Sequence, residues 1–126
     1  MSDTELKQKT TILKLESGIV YNLIKDLSAS QIKLYEDVAN SENFTTFFND
    51  EESISTVLSF FENNLNISET SKKIFMHRNT LIYRLDKINK LTGLDIRKFD
   101  DAMTMHVLLV IRFKENQKAH EIKCVF

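Results

Sequence analysis

The side chains best suited to chemistry in this sequence lie close together, in the segment 77–87. Arginine can donate two hydrogen bonds to guanine, and asparagine can pair in the same way with adenine. Threonine and tyrosine hydroxyls can reach bases or phosphates. The segment contains all four of these types, together with a histidine and a lysine: His77, Arg78, Asn79, Thr80, Tyr83, Arg84 and Lys87. Lys72 and Lys73 lie just upstream, where they can contact phosphates without distinguishing bases. These residue types favour duplex DNA as the partner.

Two helices separated by a tight turn are predicted to position these side chains. Ser68 is expected to cap a short helix that runs from about Glu69 to Phe75, with a break at Met76 and His77. Its inward residues are expected to be Thr70 or Ser71, Ile74 and Phe75. The N-termini at Ser68 and Arg78 would add backbone N–H groups for phosphates.

The second helix is predicted from Arg78 to about Leu91, and Gly93 suits the left-handed position that comes after a helix. Its buried stripe, at spacings of four and three, is predicted to be Leu81, Leu85 and Ile88. The opposite face is expected to carry Asn79, Tyr83, Asp86, Lys87 and Lys90, with Thr80 and Arg84 at its edge. This arrangement is a helix-turn-helix whose second helix presents polar and basic side chains to a major groove.

The charges of the chain are divided unevenly, although the net charge is only −1. Residues 1–70 carry five lysines against twelve acidic residues, and residues 71–126 carry twelve basic residues against six acidic ones. The excess of basic residues in the second half lies in residues 71–98, which contain eight basic residues and two acidic ones. A local basic block predicts one anionic partner at one place, although a solvated helix face has the same pattern.

The run from His77 to Leu85, with Lys87, Ile88 and the segment from Leu91 to Asp95, resembles the C-terminal helix-turn-helix of PucR/CdaR-type bacterial transcription regulators. The similarity extends over about residues 53–113, and the turn and second helix are more distantly similar to Fis-type domains. The resemblance implies a three- to four-helix domain that binds promoter DNA as a dimer. Carried over by position, the DNA-facing set would be His77, Arg78, Asn79, Thr80, Tyr83 and Arg84.

The rest of the chain is also predicted to be helical, which makes the fold all-α. Apolar spacings predict a helix from Thr10 to about Leu27, and another that Ser30 caps and that ends near Val38. Phenylalanines in the segment 40–50 are expected to fill the joint between these N-terminal helices and the rest of the chain. Ser53 is predicted to begin a further helix that ends near residues 63–64, and the last helix is expected to run from residue 100 or 101 to about residue 114.

Three regions are predicted from these elements: a helical region 1–52, a DNA-binding domain 53–115 and a loose tail 116–126. The apolar stripe of residues 12–27 and part of the run 107–111 form the predicted homodimer interface, because one small domain cannot bury both. Complete burial of the run 107–111 is the alternative.

Composition and motifs exclude several other classes. Only two glycines and no proline make an all-β fold or a glycine-rich phosphate loop improbable. A single cysteine predicts a cytoplasmic protein, and no apolar run is long enough for a membrane span. The histidines lack metal-ligand spacing, and no nucleophile stands with a base, so we expect no metal, cofactor or catalytic activity. His106 is expected to be half-buried, and no small-molecule effector is indicated.

A second hypothesis keeps the fold and changes the partner. The protein would then be a helical interaction or dimerisation module whose basic face binds an acidic protein. Arg84 can also pair with an acid such as Glu62 and serve the structure alone. The acidic region 1–52 is itself a candidate competitor with DNA for the basic face.

Overall fold

The structure is a computed structural model that describes the backbone of residues 19–125 and the side chains of residues 22–112. Within that range it is all-α, as predicted. The helices, in chain order, are α1 (Ile19–Lys25), α2 (Ala29–Ala39), α3 (Glu42–Asn49), α4 (Glu51–Glu62), α5 (Ile67–Lys73), α6 (Arg78–Thr92) and α7 (Phe99–Val125).

The contacts divide the chain into two compact units. One unit is Ser41–Met105 and contains α3 to α6, so it begins upstream of the predicted domain start at residue 53. Of the described residues, the other unit combines those from 19 to 40 with those from 106 to 125. In that second unit, Nη1 of Arg112 donates to Oδ1 of Asn40 at 3.4 Å.

The first two helices are separated by a turn, as predicted, but the cap residue differs. The predicted helix 10–27 is described only from residue 19, where α1 begins; residues 10–18 lie outside the described range. Ser28, rather than Ser30, caps α2, because Ser28 accepts from the N–H of Gln31 while the Gln31 side chain accepts from the N–H of Ser28. This reciprocal pair satisfies two otherwise unpaired N–H groups.

Helix α3 contains the phenylalanines that were expected to fill a joint. Phe44 and Phe47 are buried, and their rings lie edge to face at a centroid distance of 6.2 Å. The helix packs on α4 and α6. It therefore helps to form the surface on which α6 rests.

Helix α4 begins two residues before the predicted start. Asp50 is the N-cap residue, and Ser53 lies inside the helix, where its buried hydroxyl donates to Oδ2 of Asp50 at 2.6 Å. The end of α4 was predicted correctly, because Asn63 is the C-cap residue. Asn64 comes next with φ 57°, a left-handed conformation that asparagine tolerates.

Helix α5 begins at Ile67, so the predicted cap Ser68 is wrong. Asn66 is the cap, and its Oδ1 accepts from the N–H of Glu69 at 2.9 Å. Thr70 is fully buried, as predicted, and its hydroxyl donates to the carbonyl of Asn66 at 2.7 Å. The helix ends at Lys73, so Phe75 is not an inward residue but an exposed residue of the turn.

Helix α6 matches the prediction closely, and α7 is longer than predicted. Gly93, with φ 78°, ends α6 in the left-handed conformation that glycine adopts most easily. Helix α7 begins at Phe99 and continues to Val125, past the predicted end near residue 114. Glutamate, glutamine, lysine and alanine favour helix in this stretch, and no glycine or proline ends it.

The apolar run of α7 is buried in the single chain. Leu108, Leu109, Val110 and Ile111 are each at most 2% exposed, and Val107 is half-buried. The expectation that part of this run contacts a second copy is therefore wrong for these four residues. The alternative of burial within the chain holds for them. His106 is half-buried, as predicted, and burial lowers its pKa.

Candidate nucleic-acid interface

The helix α6 has one buried face and one open face. Leu81, Leu85 and Ile88 are at most 1% exposed, and this face lies against α3, α4 and α5. The side chains opposite are exposed: Asn79, Thr80, Tyr83, Asp86, Lys87 and Lys90. The buried leucines and isoleucine therefore fix the rotation of the helix and leave its polar residues accessible to a partner.

The N-terminal end of α6 is organised by His77 and Arg78. His77, where a break was predicted, is the N-cap residue of α6, and its Nδ1 accepts from the N–H of Asn79 at 3.1 Å. Nη1 of Arg78 approaches the hydroxyl of Ser68 at 3.4 Å, which links the two helices of the motif at their N-terminal ends.

Two lysines lie at the C-terminal end of α5. Lys72 and Lys73 are both exposed in its last turn, and the next turn of the chain leads directly to His77. The stretch 70–85 contains no acidic residue. Lys72, Lys73 and Arg78 therefore give the turn region a positive charge.

The C-terminal part of the open face is held by acidic side chains of α4. Arg84 pairs with an acidic side chain, as the sequence suggested, and this partner is Glu52, with Nη2 and Oε1 2.5 Å apart. Lys87 lies 3.7 Å from Oδ2 of Asp50. The hydrogen bond from Ser53, together with the charge of Lys87, lowers the pKa of the Asp50 carboxyl. The acidic start of α4 thus neutralises two of the cations that were predicted to face DNA.

A second ionic cluster lies just after α6. Nη2 of Arg97 donates to Oδ1 of Asp86 at 2.8 Å, and its Nε donates to Oδ1 of Asp95 at 2.7 Å. The Asp95 carboxylate raises the pKa of Arg97, and the bond from Arg97 lowers the pKa of Asp95. Asp101 lies in the first turn of α7, and its carboxylate accepts from the N–H of Asp95 at 3.0 Å. This cluster fixes the loop after α6 against the exposed face of that helix.

Sequence reasoning missed three features of this region. The partners Asp50 and Glu52 lie more than thirty positions from the cations they pair with, and only the packing of α4 on α6 brings them together. The role of Arg97 was missed because it depends on how the loop after α6 folds back towards Asp86. Phe75 was expected inside, because a 3.6-residue period was continued past the real end of α5.

Other kinds of site are not indicated in the described part of the chain. Between residues 19 and 125 no helix combines the length and apolarity that a bilayer crossing requires. Nor do three or more potential metal ligands come together among the described side chains.

Comparison with known proteins gives a family and several relatives. Residues 54–111 match the model of the PucR C-terminal helix-turn-helix domain. The chain is 48% identical over 54 residues to the carbohydrate diacid regulator of Escherichia coli (strain K12), covering 43% of this chain and 14% of that protein. It is 37% identical over 65 residues to the purine catabolism regulatory protein of Bacillus subtilis (strain 168), covering 52% and 12%.

A third relative covers more of the chain. The leucine-rich protein of Streptococcus dysgalactiae subsp. equisimilis is 24% identical over 115 residues, which is 86% of this chain and 39% of that protein. This chain thus spans well under half the length of these three curated relatives. No solved structure matches it significantly. The helix-turn-helix formed by α5 and α6 and the family match agree, and residues 54–111 are a PucR-type C-terminal helix-turn-helix domain.

Proposed function

We propose that this protein is a sequence-specific DNA-binding regulator of transcription that acts by binding rather than by catalysis, in the cytoplasm. The N-terminal part of α6 would enter the major groove. The observation that carries this proposal is the open face of α6, which exposes Asn79, Thr80 and Tyr83 while Leu81 and Leu85 hold the helix from behind. The regulators named among its relatives support the same function.

The side chains at the start of α6 would read bases. Arg78 suits guanine and Asn79 suits adenine, because each can form two hydrogen bonds to the groove edge of that base. Thr80 and Tyr83 would add hydroxyl contacts, and the His77 cap would fix the N-terminal N–H groups that face a phosphate. Lys72, Lys73 and Ser68 of α5 would contact the backbone of the duplex.

Arg84 and Lys87 would make a different contribution. In the free protein their charges are partly neutralised by Glu52 and Asp50. On DNA, phosphate would replace these carboxylates as the partner of the two cations. The two carboxylates therefore compete with DNA for these cations. The competition with DNA that was proposed for the whole acidic region 1–52 is thus assigned to Asp50 and Glu52 at the start of α4. Deleting that whole region would also remove α3 and its buried Phe44 and Phe47, so single neutral substitutions are the sharper test.

We further infer that the protein acts as a homodimer through α1 and α2. The two helices and the turn between them expose large apolar side chains, namely Leu23, Leu27, Leu34, Tyr35 and Val38. A second copy is the occupant that a two-fold DNA site requires. Sedimentation should show a dimer, and replacing both Leu23 and Leu34 by glutamate should yield a monomer. Lys33→Glu, which changes charge on the same exposed helix, should leave the dimer intact; a monomeric unsubstituted chain would refute this part.

The experiment that tests the proposed function is selection of bound duplexes from a random pool. We expect one preferred sequence, near-palindromic, with half-sites about one helical turn apart or a multiple of it. Recovery of unrelated sequences would contradict specificity. A helical adaptor that binds an acidic protein remains the second candidate, favoured by the exposed apolar face of α1 and α2. It would show no affinity for duplex DNA at all, and Arg78→Ala would then weaken binding to a protein instead.

A further inference from the structure

Phe75 is the most exposed large apolar side chain of the described residues, at 95%. Phe44, Phe47 and Phe60 are buried in the same compact unit, so the fold buries other phenylalanines and leaves this one in water. Burial of such a side chain stabilises a folded protein, and an exposed ring gains almost none of that stabilisation. The ring of Phe75 therefore contributes almost nothing to packing in the folded monomer.

The backbone at Phe75 is also unfavourable for phenylalanine. Its φ is 53°, in the left-handed region where a bulky residue is strained. The N–H of Phe75 donates to the carbonyl of Lys72 at 3.4 Å, and the N–H of Met76 donates to that of Ser71 at 2.9 Å. These two bonds form a Schellman motif, in which the left-handed position is most often glycine.

Two other helices end with a left-handed residue, and they show what the chain does elsewhere. Asn64 has φ 57° after α4, and Gly93 has φ 78° after α6. Asparagine and glycine both tolerate this conformation. Leu65, which follows Asn64, is also left-handed with φ 60°, but its side chain is half-buried. Among the described residues, Phe75 is the left-handed one whose large apolar side chain is open to solvent. Strain retained in this way is typical of functional positions.

The surroundings of Phe75 indicate what the ring contacts. It lies two residues before the cap of α6, between the exposed Lys72 and Lys73 on one side and Arg78 on the other. These cations attract a polyanion, which favours DNA over an apolar protein surface as the partner. The apolar group that a major groove offers is the C5-methyl of thymine, and phenylalanine is among the residues that contact it.

We propose that Phe75 is a specificity-determining residue that packs on a thymine methyl group next to the phosphates bound by α5. This inference rests on the proposed function of the preceding subsection. It adds an apolar contact, made from the turn, to the polar contacts of α6. The strained backbone holds the ring outward, so that it reaches DNA without a change of conformation.

The test compares the full chain with its Phe75→Gly and Phe75→Leu variants on the selected duplex. Phe75→Gly should bind about 5- to 30-fold more weakly, since an apolar contact of this size is lost. Phe75→Leu should keep most of the affinity. In urea, Phe75→Gly should unfold at a higher concentration, because glycine relieves strain and no buried contact is removed. Asn64→Gly is the matched control, since it changes another left-handed helix end and should leave DNA affinity unaltered.

Uracil in place of thymine identifies the methyl group itself. At one thymine position of the duplex, uracil should weaken binding by the unsubstituted chain about three- to fivefold, and the Phe75→Gly variant should not respond. Equal affinity of Phe75→Gly and the unsubstituted chain, or equal responses to uracil, would overturn the inference. If Arg78→Ala then still weakens binding, the proposed function survives alone; if the unsubstituted chain binds no duplex, both fail.

Discussion

The two halves of helix α6 are exposed on the same face, but they are held differently. In the first half Arg78, Asn79 and Tyr83 project into solvent, and the side-chain bonds there are a cap and one long contact to Ser68. In the second half Arg84, Asp86 and Lys87 each form an ion pair with a residue outside α6. The difference indicates that the first half is free to read a partner, whereas the second half also holds the helix on its support.

The largest expected effect comes from the buried support that both halves share. Leu85→Ala should lower the free energy of unfolding by about 2–5 kcal/mol, because it leaves a cavity under the middle of α6. Leu85 is 1% exposed, so no solvent contact compensates for the loss. Urea unfolding measures the effect, and a loss well under 1 kcal/mol would show that the helix does not depend on this contact.

Substitutions in the first half should separate binding from stability. Arg78→Ala or Asn79→Ala should cost about 1–3 kcal/mol of affinity on the preferred duplex and much less on random duplex. Unfolding by urea should stay unchanged within about 0.5 kcal/mol, as for other exposed positions. Lys72→Ala is the control, since loss of a phosphate contact should weaken all duplexes about equally. The contrast between the halves breaks down if Arg78→Ala unfolds the domain or weakens all duplexes alike.

In the second half, removal of an acidic partner should strengthen DNA binding. Glu52→Gln frees Arg84, so we expect tighter binding at low salt and a log–log salt dependence steeper by about 0.9 for one more phosphate contact. The stability loss should be at most about 1 kcal/mol, because the pair is partly exposed. Glu51→Gln, in the same first turn, removes the same charge from the helix end without touching Arg84.

Weaker DNA binding by Glu52→Gln would contradict the competition. It would mean that the pair serves mainly to orient Arg84 for DNA. Equal effects of Glu52→Gln and Glu51→Gln would instead reduce both to a change in net charge. DNA affinity should be measured at several salt concentrations, because the expected difference in affinity between Glu52→Gln and the unsubstituted chain decreases as salt screens the phosphates.

The smallest effect is on pH dependence. The pKa of Asp50 and that of Asp95 are both lowered in the folded state, by the bonds from Ser53 and Arg97. A lowered folded pKa means that the unfolded chain binds protons first, so this stabilisation is complete above the ordinary pKa of about 3.9 and is lost as the pH falls below it. Asp95→Asn should flatten the fall in unfolding midpoint below about pH 4. An unchanged pH profile would remove Asp95 from the cluster that holds α6.

The sequence was sufficient for the body and the end of α6. Its buried stripe, the break at His77 and the stop at Gly93 depend on neighbours within one or two turns. Helix starts were less accurate: Ser30 and Ser68 were chosen as caps and Ser53 as a helix start, while Ser28, Asp50 and Asn66 are the N-cap residues. All of these types cap helices well, so type alone does not choose between residues two or three positions apart.

Contacts between distant residues could not be predicted in the same way. The pair of Arg84 with Glu52 depends on how α4 packs on α6, and the pair of Arg97 with Asp86 depends on how the loop after α6 folds back; a charge pattern allows many partners. The exposure of Phe75 also required the structure, because an aromatic residue continuing an amphipathic period is most often buried. DNA contact by the residues of α6 stays a prediction until a complex is probed.

Light-induced cross-linking to the selected duplex is the decisive test of groove insertion by α6. Tyr83 and Phe99 are equally exposed, at 69%, and lie in the same compact unit. Each would be replaced in turn by a photoreactive benzoyl-phenylalanine. We predict that the probe at position 83 cross-links to bases of the preferred site and that the probe at position 99 does not. Equal cross-linking from both positions, or none from position 83 on a bound duplex, would contradict insertion of α6 into the groove.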